Sequence, residues 1–205
     1  MKVVAVSQRV DTFPERGENR DALDQRLSAF LLAAGFLPVP VPNSLCQPTL
    51  DGGLIHDALH DWLDTLSPQA IVLSGGNDIG LCSARDLTEG RLLDHARSHS
   101  LPVLGICRGM QMIAYWSGGE LKPVTGHVQA RHKLSGQIVA EVNSYHGFAL
   151  AACPEEFEVL ACSEDGEIEA IRHLSLPWEG WMWHPEREGI FASHDIHRLK
   201  QLFGE

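Results

Sequence analysis

At 205 residues with 44% hydrophobic content, the chain has the size and the apolar material of one compact domain spanning residues 1–205. Sixteen Lys and Arg against 27 Asp and Glu leave a formal charge of −11, which repels polyphosphate backbones and argues against nucleic acid as a partner. No stretch is long and apolar enough to span a bilayer, and the opening run Met1–Val6 is too short for a signal peptide and lacks a small-residue cleavage site. The five cysteines, Cys46, Cys82, Cys107, Cys153 and Cys162, are widely spaced with no C-x-x-C pair, which suits a reducing cytoplasm.

In chain order, Lys2–Val6 reads as a first strand. Leu23, Leu27, Phe30, Leu31 and Ala34 recur at helical spacing, and Gly35 follows where a helix C-terminal glycine sits. Phe36–Val41 is a second strand whose prolines place it toward an end or edge. Leu54, Ile55, Ala58, Leu59, Trp62, Leu63 and Leu66 predict one helix, stopped by Ser67-Pro68. Ala70–Leu73 is a third strand running into Ser74-Gly75-Gly76-Asn77-Asp78. An amphipathic segment near Arg91–His99 leads to the strand Val103–Ile106, flush against Cys107, and Arg108–Trp116 reads as a helix closed by Gly118-Gly119. Beyond Val124 the pattern is β-rich, with strands expected at Gln137–Val142, Glu158–Ala161, Ile168–Ile171 and Gly180–Trp183, and a last helix near Ile196–Phe203. The alternation of strands and helices in the first half predicts an α/β fold with a parallel sheet extended by antiparallel strands.

Three strings carry chemistry. Gly105-Ile106-Cys107-Arg108-Gly109 matches a nucleophile elbow, in which a strand turns sharply into a helix and exposes the nucleophile at the turn. A cysteine there meets the helix N-terminus, which favours the thiolate, and Arg108 adds positive charge nearby. Any strand-to-helix turn can be glycine-rich, so the string gains weight only from company. Trp183-His184-Pro185-Glu186 supplies the imidazole that such a thiol needs and a carboxylate to orient it, although with 11 histidines in the chain an H-P-E string alone means little. Leu73-Ser74-Gly75-Gly76 lets backbone approach a substrate and aim an N–H at a developing oxyanion, or is an ordinary turn. Strand ends of neighbouring βα units meet at one sheet edge, so the three strings can converge there.

Together with Val142-Asn143-Ser144-Tyr145-His146 and Gly109-Met110-Gln111, these ordered motifs resemble the class I glutamine amidotransferase superfamily, and within it the γ-glutamyl hydrolase-like enzymes. The resemblance covers nearly the whole chain. It implies a flavodoxin-like αβα sandwich with a central mostly parallel sheet. It also implies that Cys107 attacks a γ-glutamyl carbonyl, His184 serves as base and then acid, and Glu186 orients His184. The N–H groups of Gly76 and Arg108 would form the oxyanion hole, and Gly75, Gln111, Ser144 and Tyr145 would line the substrate site. Neither a metal nor an organic cofactor is implied. His146 is read as a pocket residue or as a paired structural histidine, and Arg9 as a contact to the leaving group or an exposed turn arginine.

Asn77-Asp78 stands where many amidotransferases have proline-glycine, which favours a free-standing hydrolase acting on a small γ-glutamyl compound. Val6-Ser7-Gln8-Arg9-Val10 and Arg20–Arg26 also resemble the γ-glutamyl-CDP-amidate hydrolases of bacterial capsule synthesis. The second reading is a glutaminase subunit that passes ammonia to a separate synthase partner, and a third is a non-catalytic relative. A metal hydrolase built on His56 and His60, four apart on one face of the expected helix, is the competing enzyme class; Asp57-Ala58-Leu59 between them lacks the glutamate of a metalloprotease motif.

Overall fold

The computed structural model describes residues 1–48 and 54–204. Strands β1 (Lys2–Ser7), β2 (Arg9–Phe13) and β3 (Glu18–Ala22) lead into α1 (Gln25–Ala33), and β4 (Phe36–Val41), β5 (Cys46–Pro48) and β6 (Leu54–Asp57) precede α2 (Leu59–Leu66). Then come β7 (Ala70–Leu73), α3 (Ser83–His99), β8 (Val103–Ile106) and α4 (Arg108–Trp116). The second half carries β9 (Leu121–Pro123), β10 (Val128–Lys133), β11 (Ser135–Gly136), β12 (Glu141–Tyr145), β13 (Phe148–Leu150), β14 (Phe157–Cys162), β15 (Ile168–His173) and β16 (Trp178–Trp181), before α5 (Ser193–Leu202).

The main sheet has the order β11-β14-β15-β16-β8-β7-β1-β4. From β4 to β16 every neighbouring pair is parallel, and β15, β14 and β11 add antiparallel pairs at the far side. Alternation along the buried strands feeds two cores. Val4, Val6, Ala70 and Val72 pack with Leu27, Phe30 and Leu31 of α1 and Leu199 of α5, whereas Ala5, Ile71 and Leu73 pack with Leu59, Leu92 and Ile113 of α2, α3 and α4. The result is the expected αβα sandwich. The prolines of β4 are accommodated because β4 is an edge strand, paired only with β1. No helix among the described residues is long and apolar enough to cross a membrane.

The strand expected at Gly180–Trp183 lies at Trp178–Trp181, and two expected elements differ in kind. The helix expected from Leu54 begins only at Leu59, because Leu54–Asp57 pairs antiparallel with β5, matching Cys46 with Asp57 and Gln47 with His56. A short apolar run suits either period, and here the tertiary pairing decides. His56 therefore lies on a strand and His60 on a helix, and the shared helical face of the metal-hydrolase reading does not exist. The strand expected over Gln137–Val142 is interrupted: Gln137 and Ile138 both donate their N–H to Leu160 O, at 2.8 and 3.1 Å, and regular pairing resumes only at Glu141.

The elbow explains its two glycines by contact. A Cβ on Gly105 would lie 2.5 Å from the carbonyl carbon of Gly109, and one on Gly109 would lie 2.7 Å from that of Leu73, so α4 can start this close to β7 and β8 only with glycine at both places. Since backbone cannot yield as a flexible side chain can, Gly109→Ala is expected to lower stability by at least ~2 kcal/mol, read as a shift in the urea midpoint. An unchanged midpoint would refute the close packing.

Candidate active site

The ends of β1, β7, β8 and β16 lie side by side at the carboxyl edge of the parallel strands, where open α/β sheets bind ligands. The three chemistry-bearing strings leave the sheet there, after β7, β8 and β16. Cys107 follows β8 with φ 51° and ψ −106°, a left-sided backbone that a side-chain-bearing residue adopts only under constraint from its surroundings. Its N–H donates to Trp181 O at 2.7 Å, fixing the turn to β16.

His184 and Glu186 are 2% and 3% exposed, and His184 Nδ1 donates to Glu186 Oε1 at 2.6 Å. The ring's other neighbour is the Cys107 side chain, a second hydrogen-bond partner. Burial alone would lower the imidazole pKa, but the hydrogen bonds to Cys107 and Glu186, with their charges, outweigh it and hold the pKa raised to about 9. The backbone of His184 is held by Asn143, whose side-chain Nδ2 donates to His184 O at 2.8 Å and whose Oδ1 accepts from His184 N at 3.0 Å. Arg26 Nε donates to Glu186 O at 2.8 Å, tying the turn after His184 to α1. The individual roles of Asn143 and Arg26 are not legible in the sequence, since each acts through backbone atoms of a distant segment.

The Ser74–Asn77 loop is positioned from below by a buried ionic network that no sequence motif announces. Arg85 Nη2 donates to Ser74 O at 2.7 Å and to Gly75 O at 3.1 Å, its Nε bonds Glu89 Oε1 at 3.0 Å, and Ser7 Oγ donates to the same oxygen at 2.7 Å. Arg108 donates to Asn77 O at 2.8 Å and pairs with Asp86 and Glu89. Its guanidinium charge is thus paired with two carboxylates. Burial, then the neighbouring Arg85, lowers the Arg108 pKa to about 9.

Gly76, at φ +132°, has no room for a side chain: a Cβ would lie 2.7 Å from Arg85 Nη1 and 2.8 Å from Arg9 Cβ. A Cβ on Gly75 would lie 2.6 Å from His184 Cε1, so the glycine backbone lies against the imidazole. The N–H groups of Gly76 and Arg108 donate to no acceptor among the described residues. Gly75, Gly76, His184, Glu186, Arg9 and Arg187 line a cleft of about 340 Å³ overhung by the β2–β3 hairpin. Arg9 is half-exposed and paired with Asp11 at 2.8 Å. Gln111 lines a second cleft of about 440 Å³ with Asp78, Tyr115 and Phe148, and its Nε2 donates to Phe148 O at 2.9 Å.

Tyr145 is partly exposed and sets its ring edge-on to His184 at 5.8 Å, with Arg187 4.8 Å above it. Two expected pocket side chains turn away. The buried Ser144 hydroxyl donates to His127 O at 2.7 Å. His146 is 3% exposed, bonds Phe148 O through Nδ1 and faces Glu169 instead of either cleft, because residues on opposite sides of β12 alternate and its turn closes onto β15.

Known proteins resemble this chain in sequence and in fold. The chain is 34% identical over 141 residues to gamma-glutamyl-CDP-amidate hydrolase of Campylobacter jejuni, covering 66% of this chain and 70% of that protein. It is 31% identical over 159 residues to a subunit of the glutamine-hydrolyzing GMP synthase of Thermococcus kodakarensis, covering 70% and 80%. A solved structure described as a GMP synthase subunit from Thermoplasma acidophilum superposes with a TM-score of 0.73 over 100% of this chain and 93% of that one, at 21% identity, a likeness of fold. With residues 54–201 matching the glutamine amidotransferase class-I family, the chain belongs to that family.

Proposed function

We propose that this chain is a cysteine-dependent hydrolase of γ-glutamyl amides, working as one catalytic domain, and that Cys107, His184 and Glu186 carry the reaction. The observation that supports it most is the buried His184 imidazole, which interacts with the Cys107 side chain and bonds the buried Glu186 carboxylate at 2.6 Å. In this reading the Cys107 thiolate attacks the γ-carbonyl carbon, and the resulting oxyanion accepts hydrogen bonds from the unpartnered Gly76 and Arg108 N–H groups. The imidazolium of His184 gives its proton to the leaving nitrogen as the C–N bond breaks, leaving a γ-glutamyl thioester. Neutral His184 then takes a proton from water, the hydroxide displaces sulfur, and glutamate leaves. Glu186 keeps the Nδ1–H tautomer in place throughout.

The glutamyl group enters from the side of Gln111 and Tyr145, and the leaving group occupies the cleft bearing Arg9 and Arg187. The relative named for hydrolysis of gamma-glutamyl-CDP-amidate makes an anionic, nucleotide-sized leaving group the preferred class, for which Arg9 and Arg187 are the cationic contacts on a lining that also carries Asp11, Asp24 and Glu186. The first test is release of glutamate from γ-glutamyl amides by the purified chain alone. A second reading, a glutaminase subunit serving a synthase, draws on the likeness to the Thermococcus GMP synthase subunit; it predicts a chain that stays silent until a synthase is added.

The raised His184 pKa fixes the pH behaviour. The ring stays protonated up to the region of its folded pKa, about 9, and loses the proton needed by the leaving nitrogen above it. The alkaline limb of kcat/KM is therefore expected near pH 9, as a property of the Cys107–His184 pair. Glu186→Gln removes one interaction that raises the pKa, so the limb should move to lower pH. A limb that stays put or moves upward would separate Glu186 from the imidazole.

A further inference from the structure

We propose that His127, His132, His146 and Glu169 form a structural site for a divalent cation of the zinc type, away from the two clefts of the candidate active site. Four side chains from β10, the turns beside β10 and β12, and β15 converge there. His127 and Glu169 are completely buried and His146 is 3% exposed. The ligand atoms of His127, His132 and Glu169 all lie within 4.8 Å of one another. His127 Nδ1 is 3.3 Å and His146 Nε2 is 3.4 Å from the same oxygen, Glu169 Oε1. Ligands bound tetrahedrally at about 2.0–2.1 Å sit about 3.3 Å apart, so the two contacts to Glu169 Oε1 match edges of such a site, and His132 lies close enough to join them.

The unpartnered atoms point the same way. His127 Nδ1, His132 Nε2, His146 Nε2 and both Glu169 carboxylate oxygens are buried without a hydrogen bond. The far nitrogens, by contrast, are engaged. His127 Nε2 lies 2.9 Å from Asp165 Oδ2, a carboxylate held by Ser163 Oγ at 2.6 Å, and His146 Nδ1 lies 3.0 Å from Phe148 O. Carboxylates and carbonyls accept, so those far ring nitrogens donate, and the near nitrogens of His127 and His146 face the Glu169 carboxylate. A buried carboxylate facing three imidazole edges needs positive charge among them, which a bound divalent cation would supply. Remote nitrogens fixed by a carboxylate or a carbonyl, with the near nitrogens free, are the outer-shell arrangement of metal-binding histidines. His127, His132 and Glu169 supply three ligand atoms, and His146 Nε2, beside the same Glu169 oxygen, is placed as the fourth; the group lies outside both clefts, which suits a structural ion.

The site joins β15 of the main sheet to the separate β10–β12 pair. β12 carries Asn143, which holds the His184 backbone, so the cation would fix the platform on which the imidazole rests. This inference does not depend on which amide is hydrolysed.

The test uses the full chain with Cys107→Ser, which removes the thiol as a rival ligand. After EDTA and dialysis, zinc titration should give one equivalent bound, and cobalt should give the intense visible bands of a tetrahedral ion. Zinc at 100 times its Kd should raise the Tm by roughly 5–10 °C. His132→Ala and Glu169→Gln should each lose the equivalent and the cobalt bands. No retained metal and an unmoved Tm would overturn the proposal, leaving a proton-bridged histidine cluster, and so would full retention in both variants. If either variant fails to fold, stoichiometry, cobalt spectrum and Tm of the parent still decide.

Discussion

Replacing Cys107 with Ser is expected to lower kcat/KM by at least ~10⁴-fold while the protein stays folded, and His184→Ala is expected to do nearly the same damage. The reason is that the two residues act as a unit. Serine at the elbow keeps the turn, the contact to Trp181 O and the small buried volume, but a hydroxyl is a much weaker nucleophile than sulfur. The strained backbone at Cys107 belongs to the turn and not to the sulfur, so urea midpoints of parent and Cys107→Ser should agree closely. Glu186→Gln should cost less than His184→Ala, because it removes the group that orients the proton carrier and not the carrier. None of the other four cysteines sits at an elbow, and among the described residues Cys82, Cys153 and Cys162 have no histidine–carboxylate pair attached. A glutamine-like diazo-ketone should therefore place its adduct on Cys107, located by mass spectrometry; an adduct on Cys46 or Cys162, or a Cys107→Ser variant with parental turnover, would end the assignment.

What could be read from the sequence was whatever one local segment determines. Ala70–Leu73 and Val103–Ile106 are short continuous apolar runs because parallel strands are covered on both faces, and both strands appear with the expected bounds. The helix Arg108–Trp116 likewise has its expected bounds, since the elbow and the closing glycines mark both ends. Groups assembled from distant segments escaped. Arg85 and Glu89, four apart, look like an ordinary solvated helix pair, yet both are completely buried under the Ser74–Asn77 loop. His127, His132 and Glu169 show no ligand spacing because sheet pairing, not local sequence, brings them together. The same holds for the β2–β3 hairpin over the arginine-bearing cleft: Arg9–Phe13 and Glu18–Ala22 are mostly polar and exposed, so no apolar alternation announces them.

With that hairpin over the cleft, the chain is expected to prefer a γ-glutamyl amide with a large anionic leaving group over glutamine by at least ~100-fold in kcat/KM, equivalent to ~2.7 kcal/mol of transition-state binding. Glutamine leaves ammonia, which reaches none of the cleft beyond Gly75 and His184. A nucleotide-sized amidate would extend toward Arg9 and Arg187 under β2 and β3 and would meet two guanidinium groups that ammonia cannot use. Binding energy gained there can orient the scissile amide against Cys107, so the smaller substrate should lose kcat as well as affinity. A difference of that size is within reach of two charge-assisted contacts. The measurement compares glutamine, γ-glutamyl-aminobutyrate and a γ-glutamyl nucleotide amidate with glutamate release as the common readout. Arg9→Ala should erode the preference for the amidate while leaving glutamine turnover nearly unchanged, because the Arg9 guanidinium does not meet ammonia, whereas Arg187→Ala, which also removes the contact to Tyr145, should lower both. Equal rates for the three substrates, or turnover that appears only when a synthase is added, would transfer the assignment to the glutaminase reading.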